Sequence, residues 1–306
     1  TTENEVDKEH TVENIVSEQL VGCGFNEILN NSLTKEAYYN HDELNSYRWA
    51  NTVKIMNPLS TDLGVMRQTL VFGGLESLAR NINRKRENLR FFEVGNVYHY
   101  DPEKDDHDVP IKAYTQQYHL ALWLTGKRVE GSWAHADEET SFYELKAYVL
   151  NILRRAGLKQ GVAVEEKTTN NLFAYGLTLK TRQGVKLAEY GKLAKKVAHS
   201  CDVEKDVLYA ELNWTAIVKA TKKNKVEFKE LSKYPSVSRD LALLVDDNVE
   251  FAQIEQLARK TEKKLLRQVT LFDVYQGKNL PAGKKSNAVN FVFEDEEQTL
   301  SEKQKQ

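Results

Sequence analysis

The stretch YPSVSRDLALLVDDNVEFAQIEQLARKTEKKLLRQVTLFDVYQGKNLPAGKKSNAVNFVFEDEE, residues 234–297, decides the fold of the carboxy-terminal part of the chain. It predicts a strand over 239–246, a helix over 250–261, strands over 267–276 and 286–294, and then a helix start. That order, β-α-β-β-α, is the opening of a ferredoxin-like split βαβ unit. Ser301 and Gln304 have capping-box spacing, yet the sequence stops at Gln306. A last helix and strand are therefore expected to be missing and the domain to be incomplete. The inner strand 239–246 would then expose unpaired edge groups, which makes this domain less stable than the rest.

Upstream the pattern differs. Val12, Ile15, Val16, Gln19 and Leu20 recur at helical spacing within 9–21, and Gly22-Cys23-Gly24 ends that helix. Phe25 to Leu33 reads as a strand, and Val53, Ile55 and Met56 as an extended piece closed by Asn57-Pro58. An amphipathic helix is expected over Leu70–Arg84, a long aromatic-rich strand over Leu89–Tyr100, and a polar loop over 101–110. A strand over Tyr118–Thr125, a helix over Ser141–Ala156, and strands near 162–166, 173–180, 186–191 and 206–212 follow. A lysine-rich stretch, KATKKNKVEFKE at 219–230, separates the two patterns, with the boundary at about 228. The fold class is α+β, in two domains, 1–228 and 229–306.

Composition narrows the function. Of 306 residues, 41% are hydrophobic and 29% charged, so a packed core is expected and disorder along the whole chain is not. A net charge of −2 excludes a uniformly basic nucleic-acid coat. Only two cysteines occur, Cys23 and Cys201, without a CxxC, which excludes a disulfide scaffold and a thiolate zinc site and fits a reducing compartment. No apolar run spans a bilayer and the polar amino terminus shows no signal peptide, so a soluble, cytoplasmic protein without membrane association is expected. The histidines form no HExxH and no i, i+4 pair, so no metal ligand is assigned. GxGxxG, GxxxxGK[ST] and GxSxG are all absent.

Charge is uneven, however. Between 259 and 285, Arg259, Lys260, Lys263, Lys264, Arg267, Lys278, Lys284 and Lys285 face only Glu262 and Asp273. Such a patch is the electrostatic footprint of phosphate contacts, although solvated loop lysines give the same composition. Period two puts Asp273 and Tyr275 on one face and Phe272 and Val274 on the other; Val289, Phe291 and Phe293 read as helix-covered, with Asn290 outward. Tyr275 is the stacking aromatic of this patch, or else a tyrosine at the core edge.

YPSVSRDLALLVDDNV, KLLRQVTLFDVYQGKNLPAGKKS and FEDEEQTLSE together resemble the ferredoxin-fold anticodon-binding domain that ends the beta subunit of bacterial phenylalanyl-tRNA synthetase. GFNEILNNSL, NPLSTDLGVMRQTL, GGLESLARNINRK and RFFEVGNVY resemble the same family, so the likeness runs from about residue 9 to the end. It implies that the first domain has a class II synthetase-like antiparallel sheet with helices, catalytic in shape but not in residues. Motif 1 of active class II enzymes has the pattern G-F/Y-x-x-V-x-x-P; Gly24-Phe25-Asn26-Glu27-Ile28 fits it, but Asn31 stands at the proline position. Motif 2 ends in F-R-x-E, whose arginine grips the ATP α-phosphate; here His99 takes the arginine position and Asp101 the glutamate position. A histidine lacks the five-donor planar fork and is mostly neutral near pH 7. Motif 3 should lie near 206–220, where DVLYAELNWTAIVKAT has neither its glycines nor its arginine.

The resemblance implies a non-catalytic portion of phenylalanine-tRNA ligase with no catalytic residue and no cofactor of its own, the complex using ATP and Mg2+. Its partners are then the catalytic alpha subunit, docked through helix 9–21 and the following strand, and phenylalanine tRNA, in a two-alpha, two-beta assembly. Arg239, Lys278, Lys284 and Lys285 would contact phosphates and Tyr275 would stack, from charge and strand geometry together with the family role. Two alternatives stand beside this: a stand-alone class II ligase, and a pseudo-synthetase interaction module with another partner.

Overall fold

The structure is a computed structural model of the chain and describes residues 5–39, 44–58, 60–106, 108–159, 161–222, 228, 230 and 232–300. It divides into two compact units, Thr1–Lys225 and Val226–Gln306. In the larger unit the elements are α1 (Glu5–Gly22), β1 (Asn26–Glu27), β2 (Leu33–Thr34), β3 (Val65–Met66), α2 (Val71–Ile82), β4 (Leu89–Tyr100) and β5 (Tyr114–Thr125). They continue with β6 (Lys127–Val129), β7 (Glu138–Glu139), α3 (Phe142–Arg155), β8 (Ala163–Lys167), β9 (Phe173–Thr181), β10 (Lys186–Leu193), α4 (Lys195–His199), β11 (Val207–Asn213) and α5 (Trp214–Thr221).

A seven-stranded sheet in the order β1-β4-β5-β11-β10-β9-β8 organises this unit. It is antiparallel except at its rim, where β1 pairs parallel with β4. Both faces are covered, so its central strands read as apolar runs rather than as a strict alternation. Val16, Leu20, Leu145, Val149, Ile152 and Ile217 of α1, α3 and α5 pack on one face, against Phe92, Leu122, Tyr190 and Leu212. On the other face α2 lays Phe72, Leu75 and Leu78 over Phe91, Trp123 and Tyr209. Full burial of each such side chain is worth roughly 1.5–3 kcal/mol.

Local chemistry sets the helix ends. The Ser141 hydroxyl accepts from the Glu144 amide at the start of α3, and Asn213 Oδ1 accepts from the Ala216 amide at the start of α5. At Gly74 in α2, an added Cβ would sit 2.0 Å from the Trp123 indole, so only glycine lets the helix approach the sheet this closely.

Some expectations shift. The strand expected over Phe25–Leu33 breaks after Glu27, because Asn30 turns to Glu93 and Asn31 Oδ1 accepts the Leu33 amide. Asparagine side chains that bond nearby backbone compete with a ladder in this way. Of the extended piece at 53–56 only Lys54 bridges, to Val65, and Met56 points into solvent. The helix expected over Leu70–Arg84 spans Val71–Ile82, and the strand expected from Tyr118 begins at Tyr114.

The smaller unit contains β12 (Val237–Asp246), α6 (Phe251–Thr261), β13 (Leu266–Tyr275) and β14 (Lys284–Phe293). Its three strands run antiparallel in the order β12-β14-β13, with β12 at an edge among the described residues. Reciprocal bonds between Glu250 and Gln253 box the start of α6. The core is slight: Leu266, Val269 and Val289 are buried, with Phe251, Ala258, Leu243, Leu271, Phe291 and Phe293 partly so. Residues 301–306, where a further helix start is expected, and most of the lysine-rich 223–231 lie outside the described residues.

Candidate functional site

The basic residues of the smaller unit fall at two separate places. Arg259 and Lys260 end α6, Lys263 and Lys264 follow it and Arg267 opens β13, whereas Lys278 lies in the turn between β13 and β14 and Lys284 and Lys285 open β14. The ten residues of β13 hold these groups about 30 Å apart at ~3.3 Å per residue. The charge excess over 259–285 is therefore two clusters and not one patch.

Tyr275, Lys278, Lys284 and Lys285 lie around the β13–β14 turn, with Lys284 on the sheet face of Tyr275 and Lys285 on the opposite one. The Tyr275 ring lies over Gly277, where an added Cβ would stand 2.3 Å from its hydroxyl, and the residue stays exposed. Lys284 Nζ pairs with Asp246 at 2.6 Å, and Lys285 Nζ donates to the Asp247 carbonyl at 2.8 Å. Lys278 is exposed. Arg239 stands apart, opposite Phe291 near the far end of β12, so it does not share this cluster. A bulge between Leu271 and Asp273 sets the aromatic's face: Leu271 pairs with Val289, but Tyr275 pairs with Ser286. The extra residue transfers Asp273 and Tyr275 to the face of Ala288 and Asn290, away from the core around Val289.

In the larger unit the motif positions have other tasks. Asn31 caps a turn through the Leu33 amide. Asp101 Oδ1 accepts from the Glu103 amide and Oδ2 pairs with Lys104 at 2.8 Å; the Lys104 contact chiefly holds this exposed carboxyl below its ordinary range. His99 ends β4 opposite Thr115, and burial first, then the neighbouring His119, pushes its pKa below 6.5, so it is uncharged at neutral pH. Two arginines of this region are spent. Arg90, in β4, pairs with Glu144 of α3 at 3.2 Å. Buried Arg67 donates to Glu93 Oε1 at 2.7 Å and to the Asn96 carbonyl at 2.9 Å.

One feature escaped sequence reasoning. Pairing aligns Glu93 with Ala121, Ala121 with Glu211, and Glu211 with Glu189, which sets three glutamates in one row across the α2 face. All three are buried. Arg67 and Asn30 serve Glu93; Thr168, Asn170, Thr178 and Lys186 serve Glu189. Glu211 receives the Thr69 hydroxyl (2.5 Å), the Tyr209 hydroxyl (2.6 Å), His119 Nδ1 (2.8 Å) and, more weakly, the Leu70 amide (3.3 Å). Burial alone would raise its pKa, but these donors prevail and pull it down to about 2. The available signal was a lone Glu within apolar strands, as in RFFEVGNV and LYAELN. The row has no carboxylate free for a cation, and no group of three or more potential metal ligands occurs among the described residues.

The larger unit, an antiparallel sheet with helices on both faces, shares its fold with a tRNA synthetase. A pyrrolysyl tRNA synthetase from Desulfitobacterium hafniense shares it with a TM-score of 0.50 at 13% identity, over 69% of this chain and 68% of that one. The sequence profile described as phenylalanyl tRNA synthetase beta chain CLM domain matches residues 1–214, and that of the ferredoxin-fold anticodon binding domain matches residues 232–306. The phenylalanine–tRNA ligase beta subunit of Bacteroides fragilis is 55% identical over 303 residues, and that of Porphyromonas gingivalis 47% over 302, each across 99% of this chain. The chain belongs to the phenylalanyl-tRNA synthetase beta chain family. It spans 37% of the length of these relatives. Among its described residues no helix is long and apolar enough to cross a membrane.

Proposed function

We propose that the chain is a non-catalytic portion of a phenylalanine-tRNA ligase. Its larger domain, to about residue 228, braces the catalytic alpha subunit; its smaller domain, from 229, holds the anticodon region of phenylalanine tRNA. ATP and Mg2+ act at the partner's site, in a cytoplasmic assembly of two alpha and two beta subunits. One observation carries this reading: α2 packs against the sheet face that His99 shares with the glutamate row, and Arg67, the arginine buried on that face, is committed to Glu93. Adenylate formation depends on free cations held where charge develops, and these groups are not free.

On the smaller domain, Lys278, Lys284 and Lys285 meet phosphates and Tyr275 stacks on a base, while Arg239 contacts a separate part of the RNA. Their clustering at one turn supports the first four as a unit. The purified chain is expected to give no ATP–pyrophosphate exchange alone, to retain the alpha subunit in a pull-down, and to prefer phenylalanine tRNA over an unrelated tRNA. Exchange by the chain alone would make it an enzyme in its own right. Equal binding of the two tRNAs would favour an interaction module with another partner.

A further inference from the structure

A cleft of about 420 Å³ lies in the larger unit between α1 and α3, and Gln19, Asn151, Arg154 and Arg155 line it. Every one of these side chains carries N–H donors and none is a carboxylate. Arg154 Nη2 donates to Asn151 Oδ1 at 2.7 Å, which takes up the amide oxygen and fixes one guanidinium against the helix. Arg155 has no hydrogen bond or ion pair among the described residues, and neither arginine meets an acid there. Toward the start of α3 the cations are matched: Arg90 holds Glu144, and Lys146 holds Glu165 at 2.7 Å. Two adjacent guanidinium groups thus stand in a concave site, unpaired with any acid among the described residues, and the partial negative charge of the α3 carboxy terminus opposes them weakly. That charge is about half an elementary unit, far less than their own.

We propose that this cleft binds a phosphate group. A carboxylate presents two oxygens on one edge and is satisfied by a single guanidinium fork. A phosphate offers oxygens in several directions, and so engages two forks and the flanking amides of Gln19 and Asn151 together. The cleft also exceeds what one carboxylate fills. The phosphate is either a phosphodiester of bound RNA or free inorganic phosphate, and both present the same oxygens to the arginines. The site lies outside the smaller unit and does not depend on the Lys278–Lys285 cluster.

The test compares the 306-residue chain with its R154A/R155A variant. Both side chains are exposed, so the variant should melt as wild type does; R154K/R155K, which keeps the charge without the fork, serves as the second variant. Inorganic phosphate observed by phosphorus NMR should broaden with wild type and lose at least tenfold in affinity with R154A/R155A. A single-stranded oligoribonucleotide is titrated in a K284A/K285A background, so that loss of the other cluster is separate. A fall of about 1.4 in its log–log salt slope on removing both arginines, at ~0.7 per phosphate, assigns the site to RNA. An unchanged slope with lost phosphate binding assigns it to free phosphate. Phosphate that binds neither chain, or both equally, overturns the proposal. So does arginine-dependent binding of a polyglutamate peptide without phosphate binding, which would make the cleft a protein contact.

Discussion

Replacing Glu211 by glutamine tests whether the glutamate row holds the α2 face together. Two routes give the magnitude. A carboxyl held at about 2 instead of 4.5 contributes about 3 kcal/mol of folding free energy at neutral pH, at ~1.4 kcal/mol per pH unit. Counting bonds agrees: the carboxylate accepts from Thr69, Tyr209, His119 and the Leu70 amide, and the glutamine NH2 would face donors in either orientation. Leaving one or two buried donors unmet costs roughly 1–3 kcal/mol each. The Leu70 and Val71 amides, at the amino end of α2, also lose a nearby anion, directly or through Thr69. Because the folded pKa is depressed, the charge stabilises fully above about 4.5 and is lost as pH falls toward 2. All four tryptophans (Trp49, Trp123, Trp133 and Trp214) lie in the larger unit, so their fluorescence reports on it alone. Urea titrations should show E211Q about 3 kcal/mol less stable at pH 7, a Tm lower by roughly 6–12 °C, with the gap narrowing between pH 4.5 and 3. A loss below 1 kcal/mol at pH 7, or a gap constant down to pH 3, would refute the reasoning.

Three further outcomes are expected. Gly277→Ala should displace the Tyr275 ring, whose hydroxyl would lie 2.3 Å from the new Cβ, and weaken tRNA binding by several-fold with little change in stability; Y275A weakening binding while G277A does not would separate the two residues. K284A/K285A should weaken tRNA binding and lower its salt slope by about 1 to 2, and an unchanged slope removes both lysines from the contact. Hydrogen exchange should be faster in β12–β14 than in β4, β5 and β11, because the core cluster of the smaller unit holds three buried side chains, Leu266, Val269 and Val289, among the described residues; uniform protection would contradict this.

Regular strands were legible where their own residues decide them. LRFFEVGNVYHY and VLYAELN are β-branched and aromatic enough to read as buried strands, and they form β4 and β11. The segment 25–33 misled because Phe25 and Ile28 give it strand character, while its outcome rests on Asn30 reaching Glu93, 63 residues away. The glutamate row was illegible for the same reason at greater range. The donors to Glu211 come from residues 69, 119 and 209, and only sheet register brings them together. The basic patch failed in the opposite sense: charge sums over a sequence window ignore that an intervening strand is rigid and about 30 Å long. The face of Tyr275 followed from alternation along residues 272–275, but only the bulge at Leu271–Asp273 says which of the two faces is open.

On the proposed non-catalytic reading, the packing of α2 on the sheet bears on whether a single residue could supply nucleotide chemistry. A triphosphate needs unpaired cations, room, and water it can displace. Here the α2 face of the sheet holds Trp123, Tyr209 and Phe72 at packing contact, and beside them, one rung along the strands, a row of three carboxylates. Each carboxylate has used its local donors, so an incoming phosphate would find those donors taken and negative charge beneath. An arginine at position 99 would sit within reach of Glu211, whose field already acts on His99, and would pair with it rather than wait for a ligand. These bonds tie β4, β10 and β11 to the amino end of α2 and to the loops above them. Rigidity of that kind suits the proposed docking of an alpha subunit, because little further ordering remains to oppose binding.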